Sequence, residues 1–301
     1  MCRRHIMKNN KRYWLKEYKM KMNTKIKLIA TDVDGTLVKD SSPQMYDEMI
    51  DIIQKLSDQG IRFVIASGRQ YGSIRKMFAP VNRKLDYIAE NGAHILLAAE
   101  NFSITKMEKN DVEEIMADLR GLYPDGCHVV ASTSHGCYLE SKDKDFIRLI
   151  TDSYRNDVTL TDDILAEDEE FLKLAVYKKG SIRNIGEQIL IPKWKDRVKT
   201  TMAGEEWVDF MDFSVDKGNA LRKIQKELGI LPQETMVFGD NDNDLGLIMA
   251  AEESYAVENA VDNVKRAAKH ICPGWKDKGV WQVLQAFYDN YMEKENDYAG
   301  F

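Results

Sequence analysis

The chain has 301 residues, 44% of them hydrophobic, with 43 Lys and Arg against 49 Asp and Glu and a formal net charge of -6. This composition excludes collagen, a disulfide-rich miniprotein and a wholly disordered chain, and the length favours two domains or one with a large insertion. No run reaches the ~18 consecutive apolar residues that a membrane-spanning helix needs, so no membrane partner is expected.

The charge is unevenly spread. Residues 1–27 hold ten Lys and Arg and one acid, Glu17. The other 33 basic and 48 acidic residues leave the rest of the chain at -15, which repels nucleic acid. A phosphate ligand must therefore meet a local positive site. The basic segment over 1–24 lacks the apolar stretch of a signal peptide, because Tyr13-Trp14-Leu15 is broken by Lys16 and Glu17. It reads as a disordered tail or an over-long start. The cysteines, Cys2, Cys127, Cys137 and Cys272, form no CxxC pair. With His128 and His135 they match no zinc pattern, and reduced thiols in the cytoplasm are the expectation.

In chain order, residues 26–31 (IKLIAT) predict a buried strand. Residues 44–59 predict a helix with Met45, Met49, Ile52, Ile53 and Leu56 on one face, stopped by Gly60. A strand over 61–66, a helix over 70–79 running up to Pro80 and a strand over 85–89 follow. Alternation of this kind predicts a parallel sheet flanked by helices. It resumes with a helix over 216–228 closed by Gly229, a strand over 235–238, a helix over 243–251 and a strand over 255–257. One further helix begins near Val261 and a last one covers 278–293. Both ends of the chain therefore build one α/β domain, over 25–94 and 211–301. Between them, 95–210 is also mixed, with helices expected over 110–121, 143–156 and 181–189 and strands over 127–131, 136–140 and 171–177. The acidic run 167–170 reads as a solvated loop.

Ligands of open α/β sheets bind beyond the carboxyl ends of the strands. Four polar clusters fall there: Asp32-Val33-Asp34-Gly35-Thr36, Ser67-Gly68-Arg69, Lys217-Gly218, and Gly239-Asp240-Asn241-Asp242-Asn243-Asp244. Each alone could be a turn or a helix cap. Together and in this order, DVDGTL, ASGRQ, DKGNAL and GDNDND resemble the four motifs of the haloacid dehalogenase (HAD) superfamily, and within it the Cof-type phosphatases with a large α/β cap. Glu90-Asn91-Gly92-Ala93 and Val257-Glu258-Asn259-Ala260 are further landmarks, and the resemblance covers about residues 26–290.

The resemblance implies a Rossmann-like core with an inserted cap. It makes Asp32 the nucleophile, which forms an aspartyl-phosphate, and Asp34 the general acid/base. Mg²⁺ is implied on Asp32, the Asp34 carbonyl, Asp240 and Asp244. Ser67 and Lys217 would hold phosphate and nucleophile. Asn243, Arg69, Asn91, Gly35, Thr36 and Gly68 would complete the phosphate and substrate contacts. Asp34 to Ser67 is 33 positions and leaves no room for a cap, whereas Ser67 to Lys217 is 150. The insertion, over 95–210, therefore follows the third strand. A cap closing there excludes bulky substrates, so a small phosphorylated metabolite is expected, with the protein a monomer or homodimer. Two other readings share these residues: a phosphomannomutase-like phosphotransferase and a catalytically inactive ligand-binding protein. The ATPase and dehalogenase branches, which lack Asp at the position of Asp34, are disfavoured.

Overall fold

A computed structural model describes residues 26–39 and 42–299, with side chains described as far as residue 293. The basic segment over 1–24 lies outside the described residues. The first element, β1 (Leu28–Thr31), is buried along its whole length. Helix α1 (Asp47–Asp58) buries Met49, Ile52, Ile53 and Leu56, the i, i+3, i+4, i+7 stripe of an amphipathic helix. Then come β2 (Arg62–Ala66), α2 (Tyr71–Met77) and β3 (Leu85–Ala89).

β4 (His94–Leu97) and β5 (Glu100–Ile104) follow as an antiparallel hairpin on β3. The division expected between 94 and 95 therefore falls inside this hairpin, whose strands continue the first sheet. Ile95 and Leu96 join its apolar core, and Ala98 and Ala99 turn the chain with positive φ.

The chain next forms α3 (Lys109–Arg120), β6 (Cys127–Ser132), β7 (Cys137–Leu139), α4 (Lys144–Arg148), β8 (Val158–Leu160), β9 (Lys173–Lys178), β10 (Lys199–Met202) and β11 (Trp207–Met211). It returns through α5 (Lys217–Leu228), β12 (Thr235–Gly239), α6 (Leu245–Met249), β13 (Glu253–Val257), α7 (Asp262–Ala267), β14 (His270–Cys272) and α8 (Gly279–Ala299). The first sheet has eight strands in the order β14-β13-β12-β1-β2-β3-β4-β5, parallel from β14 to β3. Helix α1 packs against α8, and α5 against α6. Strand order reverses at β1, which pairs with β2 on one side and β12 on the other. This reversal is the switch point where α/β sheets open a crevice.

The second sheet has six strands, β10-β11-β9-β6-β7-β8, antiparallel except for β7 beside β8. Alternation gives it two faces. Val129, Ala131, Leu174, Val176, Val208 and Phe210 pack on one side in a core with Ile115, Met116 and Leu119 of α3. The other face carries Lys173, Ala175, Trp207 and Asp209 and looks onto the carboxyl ends of the first sheet. Phe146 and Ile150 cover part of it.

Two expected helices are shorter than their windows. The one over 143–156 becomes α4 followed by a single π turn, Leu149–Ser153. The one over 181–189 breaks into short turns between 183 and 194, with Pro192 in the last of them. Among the described residues, no helix is long and apolar enough to cross a membrane.

Candidate active site

The site forms where β1, β2 and β12 end together. The amide of Asp32 donates to Phe238 O at 3.0 Å, which holds the chain after β1 against β12. The chain then turns at Gly35, whose φ of +83° suits glycine. A Cβ there would lie 2.3 Å from Asp240 Oδ2, so only glycine lets the two loops close together. Asn259 Nδ2 donates to Gly35 O at 2.7 Å and Thr36 Oγ1 to Asp240 Oδ1 at 2.8 Å. Asn259 was a landmark in the sequence without a role; here it braces the loop that carries the two aspartates.

Lys217 opens α5, whose start Asp216 caps by accepting from Asn219 N at 3.0 Å. Its side chain is fully buried, and Nζ donates to Asp32 Oδ1 at 2.6 Å and Asp244 Oδ1 at 2.7 Å. The helix reaches this depth because Gly218 lies against the backbone of Gly246 in α6; a Cβ on Gly218 would meet Gly246 O at 2.1 Å. Burial alone would push the Lys217 ammonium down, but Asp244 and Asp32 outweigh it and hold it above its ordinary value.

Asp244 is completely buried. Its second oxygen, Oδ2, accepts from the amides of Asp240 and Asn241 at 3.0 and 3.1 Å. Asp32 differs: with Oδ1 on Lys217, its Oδ2 is buried without a hydrogen-bond partner among the described residues. Burial, and next the charge of Asp244, push the Asp32 carboxyl well up against the pull of Lys217. The same two causes push Asp240 up to about 7. Ligand atoms of Asp32, Asp240 and Asp244 all lie within 4.8 Å of one another. Three crowded acids, one oxygen unpartnered and one lysine among them fit a hard cation with oxygen ligands.

The remaining motif residues converge on the same place. Ser67 is buried after β2, and its Oγ accepts from Arg69 N at 3.1 Å. Asn91 sits in a left-handed turn with φ 56° and accepts from Asn243 Nδ2 at 3.0 Å. Arg69, expected among the phosphate and substrate contacts, lines the cavity but is largely buried and grips Asp34. Nε and Nη2 reach the two carboxylate oxygens at 2.6 and 2.5 Å, and Nη1 donates to Ser42 O at 2.9 Å. The fork of a guanidinium fits a carboxylate in this bidentate way.

Asp32, Asp34, Gly68, Arg69, Asn91, Asp240 and Asn243 line a cavity of about 500 Å³, within the usual range for small-molecule sites. Ser67, Lys217, Asp244, Gly35 and Thr36 lie behind that wall. The opposite wall, from the second sheet, includes Ser132, Lys173, Trp207 and Asp209, with Ile150, Tyr154 and Asn156 beside it. Lys173 was not anticipated. It is buried, pairs with Glu90 after β3 and lies 3.5 Å from Asp209, while its Nζ donates to Gly68 O at 2.9 Å. Further bonds between the two sheets' surroundings run from Ser73 Oγ to Tyr154 O at 2.5 Å and from Gln70 Nε2 to Ser132 Oγ at 2.9 Å.

These features define a class of phosphoryl-transfer site: four polar loops at a switch point under the face of a second sheet. The chain belongs to the haloacid dehalogenase-like hydrolase family, whose model matches residues 29–284, and within it to the Cof-type phosphatases. Similar proteins include two named 5-amino-6-(5-phospho-D-ribitylamino)uracil phosphatases. YbjI of Escherichia coli is 27% identical over 86% of this chain and 95% of its own length. YcsE of Bacillus subtilis is 26% identical over 86% and 95%. A crystal structure from Eubacterium rectale is 36% identical, covers 87% of this chain and 99% of its own, and superposes with a TM-score of 0.78. The protein is a phosphoric monoester hydrolase.

Proposed function

We propose that the protein hydrolyses small phosphorylated metabolites through an aspartyl-phosphate on Asp32, with Mg²⁺ as its cofactor. The observation that carries this reading is the state of Asp32: Lys217 holds one oxygen and the other is left buried without a donor. A carboxylate fixed by one oxygen is oriented for in-line attack with the other.

Asp32 attacks phosphorus, the bond from phosphorus to the ester oxygen breaks, and Asp34 gives that oxygen its proton. Water then attacks the phosphorus of the aspartyl-phosphate while Asp34 takes its proton. Phosphate leaves and Asp32 is restored. Arg69 holds both oxygens of Asp34, so one arm of the guanidinium must yield for the proton to move, and that arm is then available to the substrate's phosphoryl oxygens. Ser67 and Asn243 supply hydrogen bonds at the same end.

The Asp32 carboxylate, the Asp34 carbonyl and the Asp240 carboxylate would hold Mg²⁺. Asp244, whose oxygens are taken by Lys217 and two amides, would orient the lysine and the Asp240 loop. When bound, the cation offsets negative charge on the carboxylates and the phosphoryl oxygens. The wall formed by the second sheet acts as a cap and keeps bulky esters out.

The test is phosphate release from a panel of phosphorylated metabolites by the wild type and Asp32→Asn, with and without excess EDTA. Loss of turnover in the variant, with an unchanged melting temperature, and loss in EDTA are expected. Undiminished release in Asp32→Asn would remove the covalent mechanism, and undiminished release in EDTA would remove the cation.

A further inference from the structure

A second cavity, of about 340 Å³, meets the active-site cavity only at Gln70, the one residue that lines both. It lies on the seam between the two units. One wall comes from α2 and the β4–β5 hairpin, with Tyr71, Arg75 and Asn101. The other comes from the loop joining β6 to β7, with Ser134 and His135, and from Asp157 just before β8. Its volume is that of a site for a small metabolite.

Three groups in it have bonding capacity to spare. Gln70 is more than nine-tenths buried, and its Nε2 donates to Ser132 Oγ at 2.9 Å. Its Oε1 is buried with no hydrogen-bond partner among the described residues. A buried acceptor without a donor is costly, so the position suits a ligand that brings one. Arg75 is exposed and has no acid partner among the described residues; its guanidinium lies over the ring of Tyr71, 5.6 Å from the centroid. Asn101 Oδ1 is engaged by His94 Nε2 at 2.7 Å, which leaves its amide N–H groups to donate.

The other charges are already matched. Asp157 pairs with Lys76 at 2.7 Å, and His135 Nε2 lies 3.0 Å from Glu169. One unpaired guanidinium therefore sets the charge of the ligand. A planar carboxylate fits its fork with two hydrogen bonds. A dianion would meet Asp157 and Glu169 without a second unpaired cation in the lining.

We infer that this cavity is an effector site for a small monocarboxylate that carries a hydroxyl or amino group. Its carboxylate would lie on Arg75 and Asn101, and its donor on Gln70 Oε1. Arg75 and Asn101 belong to one unit, Ser134 and His135 to the other, so an occupant favours the arrangement in which the two walls meet. That arrangement also completes the active-site cavity, and effector and substrate therefore strengthen each other's binding. The site is independent of the aspartyl-phosphate mechanism, and hydrolysis enters only as a readout.

Calorimetry on the full chain tests it with D-glycerate and L-serine as probes. Acetate, which lacks the donor, and sulfate, a dianion, are the controls. D-glycerate or L-serine should bind with a Kd of about 1 mM or tighter, and both controls about tenfold more weakly. The tighter probe tells a hydroxy acid from an amino acid. Arg75→Gln, at an exposed position outside the active site, should weaken binding about tenfold or more and leave basal turnover unchanged. Asp32→Asn should bind the probe as the wild type does. With p-nitrophenyl phosphate as substrate, the bound probe should lower KM about fivefold or more in the wild type and leave KM of Arg75→Gln unaltered. Failure of both probes to bind overturns the site. So does a control that binds as tightly as the better probe, binding that survives Arg75→Gln, or binding lost in Asp32→Asn. Binding with an unchanged KM overturns the coupling between the walls. If no phosphate is released from any ester, the proposed reaction fails, and calorimetry alone then decides the effector site.

Discussion

Among the described residues two lysines are buried, and each sits beside two acids. Lys217 lies between Asp32 and Asp244 within the first sheet's loops. Lys173 lies between Glu90 and Asp209, across the gap between the two sheets. Both ammonium groups are held above their ordinary value: burial alone would lower each, and the adjacent carboxylates outweigh it. The chemistry of the two clusters is nearly the same, and their connectivity differs. Every member of the first cluster belongs to loops of one sheet, and one of its acids faces the cavity with an oxygen to spare. The second joins loops of one sheet to strands of the other. On the proposed function, the same buried ion triad prepares a nucleophile in one place and ties two units together in another, and its covalent context decides which.

Paired substitutions separate these roles, in order of expected effect. Lys217→Met should lower kcat by roughly a thousandfold or more, because removing one member of a catalytic unit costs nearly as much as removing all of it; single-turnover phosphate release measures this. It should also lower stability by about 3–5 kcal/mol, the usual result of leaving buried acids without their partner. Lys173→Met should produce a similar loss of stability in urea melts with a much smaller loss of kcat. Equal losses of kcat in both variants would break the distinction. The triple substitution Lys173→Met, Glu90→Gln, Asp209→Asn should recover most of that stability, since the cost lies in uncompensated charge. Gly35→Ala should cost about 1–3 kcal/mol through its positive φ and weaken Mg²⁺ binding by crowding Asp240, read by metal titration. Ser73→Ala removes a single bond between α2 and the Tyr154 segment and should cost about 1 kcal/mol, measured as a small shift of the melting curve.

The parts of the molecule that could be read in the sequence share a physical reason. β1, β2, β3 and β12 are buried on both faces, so they appear as short apolar runs, and candidate site residues stand where those runs stop. Asp32, Ser67 and Asp240 were visible for that reason, whereas Lys217, which opens α5, was visible through its place in DKGNAL. In the second sheet the expected strands over 127–131, 136–140 and 171–177 form as β6, β7 and β9, but the rest resisted because the signal for a half-buried strand is apolar alternation, and the inner face carries Lys173, Asp209 and Trp207 toward a cavity. β10 and β11 accordingly went unseen, along with the lysine they help to frame. The hairpin of β4 and β5 was missed for a related reason: β5 is mostly exposed and its apolar content too thin to mark a strand. The partner of Arg69 was equally hidden, since a bidentate grip on Asp34 depends on the meeting of two loops 35 residues apart.

The contact between Gly218 and Gly246 has a consequence for how this sequence can change. Neither side chain reacts or binds, yet the depth of Lys217 depends on the one Gly218 lacks, and the seat of the capping Asp216 on the one Gly246 lacks, since a Cβ there would lie 2.3 Å from Asp216 Oδ1. A mutational map of the protein should therefore show intolerance at positions 218 and 246 as strict as at the aspartates. Function at the site is written partly in carboxylates and partly in empty space.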